Sequence, residues 1–363
     1  MEQTIQIPDR LTPEYLQNAI EPADRKSMET AGKRWTSVAK PLSSLGKLED
    51  AIVKIAGMKR EPLFTLEKKG LVIMCADNGV VEEGVTQTGQ EVTAIVADNF
   101  TKKAASVALM SEVAGADLFP VDIGMVTDVP SVTDPKQKVA YGTRNMLKEP
   151  AMTPKQVWQA VSVGVHMVSR LKALGYDILA TGEMGIGNTT TSSAVASVLL
   201  QRPVEEVTGK GAGLSSSEGL ERKISVISRA IRLHGPDRKD VTDVLSKVGG
   251  LDIAGLTGVY LGGALLHVPV VVDGFISAVA ALCAVRLVPE AADYILASHV
   301  SKEPAGKMLL DALHLSPFLT CDMSLGEGSG AVAVLPLLDM GLSVYSRMST
   351  FEEINVEQYE RLK

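Results

Sequence analysis

The sequence predicts an α/β protein built on a doubly wound parallel sheet, with a small helical domain made from both chain ends. Three observations carry this. Apolar runs of strand length recur through the middle of the chain, each ending in a polar residue and usually a glycine. Helical segments with an apolar period near 3.6 separate them, and both chain ends are charged and without strand runs.

The strand runs are, in order, GLVIMCADNG reaching Asp77, DLFPVDIG reaching Asp122, YDILATGEMG reaching Glu183, PVVVDG reaching Asp273, and DYILASH reaching Ser298 and His299. Strands covered on both faces read as unbroken apolar runs, and in open α/β sheets ligands bind beyond the carboxyl ends of the strands. The polar residues are therefore expected along one rim. Between the runs, the segment from Pro154 to Leu174 sets Val157, Ala160, Val161, Val165, Val168 and Leu171 in one stripe. The apolar stretch from Gly249 to Val285 is interrupted by Asp252, His267, Pro269 and Asp273 before it reaches the ~20 clean apolar residues of a membrane span. It reads as buried helix, buried strand, buried helix.

From Thr12 to Met58 the pattern is charged and helical, with Leu45, Leu48, Ile52 and Ile55 on one face, and the tail from Thr350 is charged again. The expected division joins residues 1–60 with 340–363 in a small helical domain and leaves 61–339 as a large nucleotide-binding, catalytic one.

Hydrophobic residues make up 45% of the chain and aromatic ones only 4%, the Ala/Val/Leu/Gly-rich balance of helices packed on a sheet. A formal charge of −7 with scattered Lys and Arg gives no basic stripe, so nucleic acid is not an expected partner. Cys75, Cys283 and Cys321 form no Cys-x-x-Cys pair and read as free thiols of a reducing compartment. The opening MEQTIQIPDR lacks the basic start and apolar run of a signal peptide, so a cytoplasmic location without membrane attachment is expected. The five histidines show no metal-ligand spacing, and no metal is expected. His166 and His267 sit on apolar segments as packing residues, whereas His299 is at a strand end near the expected rim.

The chemistry centres on two glycine-dense loops that each carry one acid: Glu183 in GEMGIGNTTT and Glu327 in LGEGSGA. Glycines there open backbone conformations closed to other residues and let a ligand approach the main chain. A single glutamate in a loop is more often a solvated side chain than a functional one. Two such loops in one chain favour function.

Beside Glu183, Gly185, Gly187 and Asn188 precede Thr189, Thr190 and Thr191 at a helix start, where hydroxyls and free N–H groups suit an anion. A second glycine loop, Gly209, Gly211 and Gly213, leads into a helix that carries Lys223 as a counter-charge. Helix starts often hold Gly and Ser without a ligand, so this loop by itself leaves the matter open. Neither loop is a Walker A sequence, and no Gly-x-Ser-x-Gly elbow is present.

Eight segments in order then resemble one family: KPLSSLGKLE, CADNGVVEEGVTQTGQEVT, GEMGIGNTTTSSA, GKGAGL, VGGLDIAGLTG, PVVVDGFISA, SHVSKEPAG and LGEGSGA. The family is the nicotinate-nucleotide:dimethylbenzimidazole phosphoribosyltransferases. The resemblance implies a Rossmann-like large domain, a homodimer, and transfer of phosphoribose from nicotinate mononucleotide to an aromatic base without a cofactor. Glu327 matches the catalytic base, and Glu183 is the second carboxylate beside the reacting ribose. The phosphate is expected on Gly185, Gly187, Asn188, Gly211, Gly213 and Lys223, and Thr189 is a further expected substrate-binding residue. Asp273 and Ser298 line the nucleotide pocket, and Asp77 and Gln90 face the incoming base. Two departures stand out: Asn78 follows Asp77 where many members have histidine, and CDMS around Cys321 replaces an arginine-containing stretch.

Other readings are a different acceptor on the same fold, a dinucleotide oxidoreductase, and a non-catalytic nucleotide-binding protein. The oxidoreductase lacks its Gly-x-Gly-x-x-Gly turn after the first strand. A mere binder has no need to keep Glu327.

Overall fold

The computed structural model describes residues 7–8, 11–211 and 216–359. Each of the five apolar runs forms a strand: β1 (Lys69–Ala76), β2 (Ala116–Gly124), β3 (Ile178–Met184), β4 (Val270–Val271) and β5 (Ile295–Leu296). They pair in parallel in the order β2-β1-β3-β4-β5. From β1 the chain crosses to β2 on one side and then returns past β1 to β3 on the other. Right-handed crossovers in opposite directions cover opposite faces, which makes the sheet doubly wound with its switch point between β1 and β3. β1 is buried along nearly its whole length, as a central strand with both faces covered must be.

The stretch from Gly249 to Val285 folds as a helix, Leu251–Leu265, then β4, then a helix, Phe275–Leu287. Every residue of the first helix is buried. It lies against the Pro154–Ala173 helix, whose start is fixed by Pro154 in the first turn and by a reciprocal capping pair between Thr153 and Gln156. The contact is backbone on backbone. A Cβ on Gly258 would run into the Val161 carbonyl, and one on Gly164 would strike the Gly255 carbonyl and lie 2.7 Å from Val259 N. Only hydrogen at these positions allows the two axes to approach so closely.

Near the chain ends, Arg34 Nε donates to the Tyr345 carbonyl at 2.8 Å, the Trp35 and Tyr345 rings meet at 5.2 Å, and Val38 bridges Thr350. The helix that brings Tyr345 there, Ser329–Arg347, runs unbroken through residue 340. It begins at the Glu327 loop, so one rigid element joins that loop to the N-terminal helices. It is also the one described helix with the length and composition to cross a membrane, and half of it is buried inside the fold.

Candidate active site

The rim beyond the carboxyl ends of β3, β4 and β5 encloses a cleft of about 260 Å³. Glu183, Gly185, Asn188, Thr189, Gly211, Asp273 and Glu327 all line it, as does His299. A much larger hollow, about 1290 Å³, opens between residues 11–14, the segment after β2 and the Pro154 helix. It holds none of the expected site residues, and its volume reflects a broad surface groove rather than convergent chemistry.

Glu183 is the penultimate residue of β3, so the sheet fixes its backbone. Its side chain is 8% exposed, and Oε2 accepts a short hydrogen bond from Asn188 Nδ2. Burial raises its pKa to about 8, helped by the charge of Asp252 and, further off, Asp273 and Glu327. At neutral pH Glu183 therefore carries its proton. Asn188 stands between two acids: its Nδ2 and Asp252 Oδ2 both border Gly185, and burial raises Asp252 to about 6. The Asn188 side chain thus joins the carboxyl cluster at the cleft.

Glu327 is held differently. It sits between Gly326 and Gly328, and all three have positive φ, at +85°, +62° and +96°. The left-handed conformation costs a side-chain-bearing residue roughly 1–2 kcal/mol, so the surroundings must impose it. They do so through Asp273, whose buried carboxylate accepts from the N–H groups of Gly330 at 2.7 Å, Ala331 at 3.1 Å and Gly328 at 3.2 Å. An acid at a helix start satisfies free donors and opposes the helix dipole. Glu327 Oε2 accepts from Val107 N at 3.3 Å. Its pKa is raised, chiefly by burial, with Asp273 adding to the shift and the Val107 bond opposing it.

The glycines of the two loops serve each other. A Cβ on Gly182 would strike the Glu327 carbonyl, and one on Gly326 would come within 2.6 Å of Glu183 Oε1. The expectation that these glycines admit a ligand to the main chain is corrected at Gly182 and Gly326: the close approach is between the loops, and it sets the two acids side by side.

At the other end of the cleft, Lys223 is 1% exposed and donates from Nζ to Thr189 Oγ1 at 2.8 Å and to the Gly209 carbonyl at 3.1 Å. Burial lowers its pKa to about 8. It lies behind the cleft wall, where it braces both glycine loops. Gly187 is also behind the wall, with φ +92° at the start of the Asn188–Leu200 helix. Gly213 falls outside the described residues.

Three further expected residues stand off the cleft surface. Asp77 is fully buried and accepts from Val126 N at 2.8 Å, tying the end of β1 to the chain after β2. Gln90 donates to the Asn78 carbonyl at 3.3 Å. Ser298 is fully buried and donates to the Asp273 carbonyl at 3.2 Å. Asn78 is buried too and does not line the cleft, whereas Ser324, in the other departing stretch, does.

Several cleft-lining positions were not singled out in the sequence, although all but Val96 lie within the segments quoted above. Val96, Met184, Ile186, Phe275, Ile276 and Leu325 supply the apolar wall, and Glu303 a further acid. Asp252 carried a signal, as an acid opening the most apolar helix, but no motif assigned it to the site.

Comparison with known proteins points the same way. A family model described as phosphoribosyltransferase matches residues 20–356. The chain is similar to the nicotinate-nucleotide–dimethylbenzimidazole phosphoribosyltransferase of Acetivibrio thermocellus, 46% identical over 336 residues covering 93% of this chain and 95% of that one. The protein of the same name from Ruminiclostridium cellulolyticum is 45% identical over 95% of this chain and 98% of its own length. Among solved structures, CobT from Thermus thermophilus superposes with a TM-score of 0.86 at 35% identity, covering 92% of this chain and all of that one. The chain belongs to this phosphoribosyltransferase family.

Proposed function

We propose that the protein transfers phosphoribose from nicotinate mononucleotide to 5,6-dimethylbenzimidazole, giving α-ribazole 5′-phosphate and nicotinate in the assembly of the cobalamin nucleotide loop. The observation that carries this reading is a pair of acids held side by side at an apolar wall, with an anion cradle at the far end of the same cleft. An N-ribosyl pyridinium already has a good leaving group, because departure neutralises the ring nitrogen. The remaining work is to align an imidazole nitrogen with the anomeric carbon and to take up the proton of the other nitrogen.

Glu327 is the base. It is partly exposed, burial raises its pKa above the ordinary glutamate value, and it shares the cleft lining with Leu325 and Ser324. Glu183, protonated on the sheet side, donates to a ribose hydroxyl. The acids gathered here favour the cationic substrate and the positive charge that develops on the sugar. Gly185, Thr189 and Gly211 receive the phosphate, with Lys223 as the buried counter-charge, Asn188 fixing Glu183, and Asp273 with Ser298 holding the Glu327 turn. Asp77, Gln90 and Gly187 support the wall from behind. Attack opposite to the leaving group inverts the β-linked nucleotide to an α-linked product.

Incubation with both substrates and chromatography for nicotinate and α-ribazole phosphate tests the reading. Formation of neither product from folded protein overturns it. Ser324 on the cleft surface favours one second reading, the same transfer to another acceptor such as adenine, another benzimidazole or a phenol. Product yields across such a panel decide it. A cytoplasmic homodimer belongs to the same proposal, and light scattering at two concentrations tests the assembly.

A further inference from the structure

Glu303, in the turn after β5, lies at the phosphate end of the cleft, and any role it has there rests on the site being a nucleotide site. Its Oε2 is buried and has no hydrogen-bond partner. The carboxylate packs on the backbone of Gly209, where a Cβ would collide with it and come within 2.7 Å of Pro304 Cδ. It shares the cleft lining with Gly185, Thr189 and Gly211. The Gly211 N–H and the Lys223 charge both favour its ionised form, yet burial outweighs them and leaves its pKa raised. Lys223 is the charged group nearest behind it, and its chain neighbour Lys302 and the loop residue Lys210 are exposed. Glu183, Asp273, His299 and Glu327 line the same cleft.

An ionised carboxylate in an anion cradle opposes a phosphate monoester, and burial makes that repulsion stronger than in water. A proton placed between the two turns the repulsion into an O–H···O hydrogen bond. We propose that Glu303 is a specificity-determining residue of the phosphate subsite, taking up one proton from solvent as the 5′-phosphate binds and donating the resulting O–H to a phosphate oxygen. No other bond forms or breaks. A phosphate that brings or accepts one shared proton fits the subsite, and a permanently charged anion does not.

Titration calorimetry of nicotinate mononucleotide at pH 7.0, in two buffers of different ionisation enthalpy, counts the protons taken up. At that pH Glu183 and Lys223, both near 8, are already protonated and take up little, and comparison with Glu303→Gln removes any uptake by Asp252, Asp273, Glu327 or the phosphate itself. The wild type is expected to take up about one proton, and its Kd to rise up to about tenfold per pH unit above 7. Nicotinate riboside, which lacks the phosphate, is expected to take up none. In Glu303→Gln the amide donates permanently, so mononucleotide binding persists while uptake and pH slope disappear. Mononucleotide binding without uptake, or equal uptake by both proteins or with both ligands, overturns the assignment and leaves the nucleotide reading standing. Absence of mononucleotide binding to folded wild type overturns both. The riboside comparison ties the uptake to the phosphate, and the 31P shift of the bound mononucleotide, which needs no variant, separates the carriers: a dianion shift leaves the proton on the protein, and a monoanion shift overturns the assignment even if the substitution impairs folding.

Discussion

The two acids at the centre of the cleft are the same residue type in opposite settings. Glu183 is on a strand, 8% exposed, braced by Asn188 and crowded by Asp252, so it keeps its proton to about pH 8. Glu327 is on a left-handed turn at a helix start, partly exposed, and held in place by N–H groups that Asp273 gathers. On the proposed function, burial on the rigid sheet makes Glu183 a neutral donor, and a strained turn at the cleft makes Glu327 a base. Chemically alike groups acquire different tasks through their surroundings, and that difference is what experiment should attack first.

The largest expected effect is at Glu327. Glu327→Gln keeps the shape of the turn but cannot take a proton, so turnover should fall by about 10²–10⁴-fold while mononucleotide affinity changes little. Near-normal turnover with unchanged affinity would break the assignment. Next comes the support beneath it. Asp273→Asn loses the charge that three backbone donors share, and the displaced base should lower kcat by about 10–100-fold with KM nearly unchanged. A parallel rise in KM would instead make Asp273 a direct substrate contact.

Away from the cleft, Gly258→Ala forces the Leu251 and Pro154 helices apart and should destabilise the protein by about 1–3 kcal/mol in urea unfolding, with kcat of the folded fraction retained. The smallest effect at pH 7 is expected from Glu183→Gln, since the amide imitates the protonated acid. The pH profile separates them. Wild-type activity should rise on the acid side as Glu327 ionises, above the ordinary Glu range, and fall near pH 8 as Glu183 loses its proton. The variant should lack the alkaline fall. Stability follows the same sign: the folded pKa of Glu183 is above its unfolded value of 4.5, so its contribution is present below pH 4.5 and lost as pH rises through about 8. The thermal midpoint should therefore drop between pH 5 and 8, and less steeply in Glu183→Gln. Equal slopes would show that another group, with Asp252 at about 6 the foremost, dominates.

Much of the frame was legible in the sequence because it depends on local pattern. Unbroken apolar runs ending in Asp77, Asp122, Glu183, Asp273 and Ser298 gave all five strands and the rim, since burial on both faces leaves no alternation. The two glycine loops marked Glu183 and Glu327, and the Asn188 helix start was visible in its Gly-Asn-Thr signature. The division of labour within the rim was not legible. Asp77, Ser298 and Lys223 have the same chemistry as surface site residues, and only long-range packing put them behind the wall, against Val126, the Asp273 carbonyl and Thr189. Asp252 and Glu303 are more than 60 residues and more than 90 residues, respectively, from the loops they meet, and no spacing rule reaches that far.

By itself the sequence determined which residues could carry charge, turn the chain or enter the sheet, and hence the strands and the family. Only the tertiary structure decided which acid keeps its proton, because a pKa is set by desolvation and by neighbours brought from distant parts of the chain. The same holds for the glycines, whose missing side chains make room for whatever the fold places there: at Gly182 and Gly326, the opposite loop.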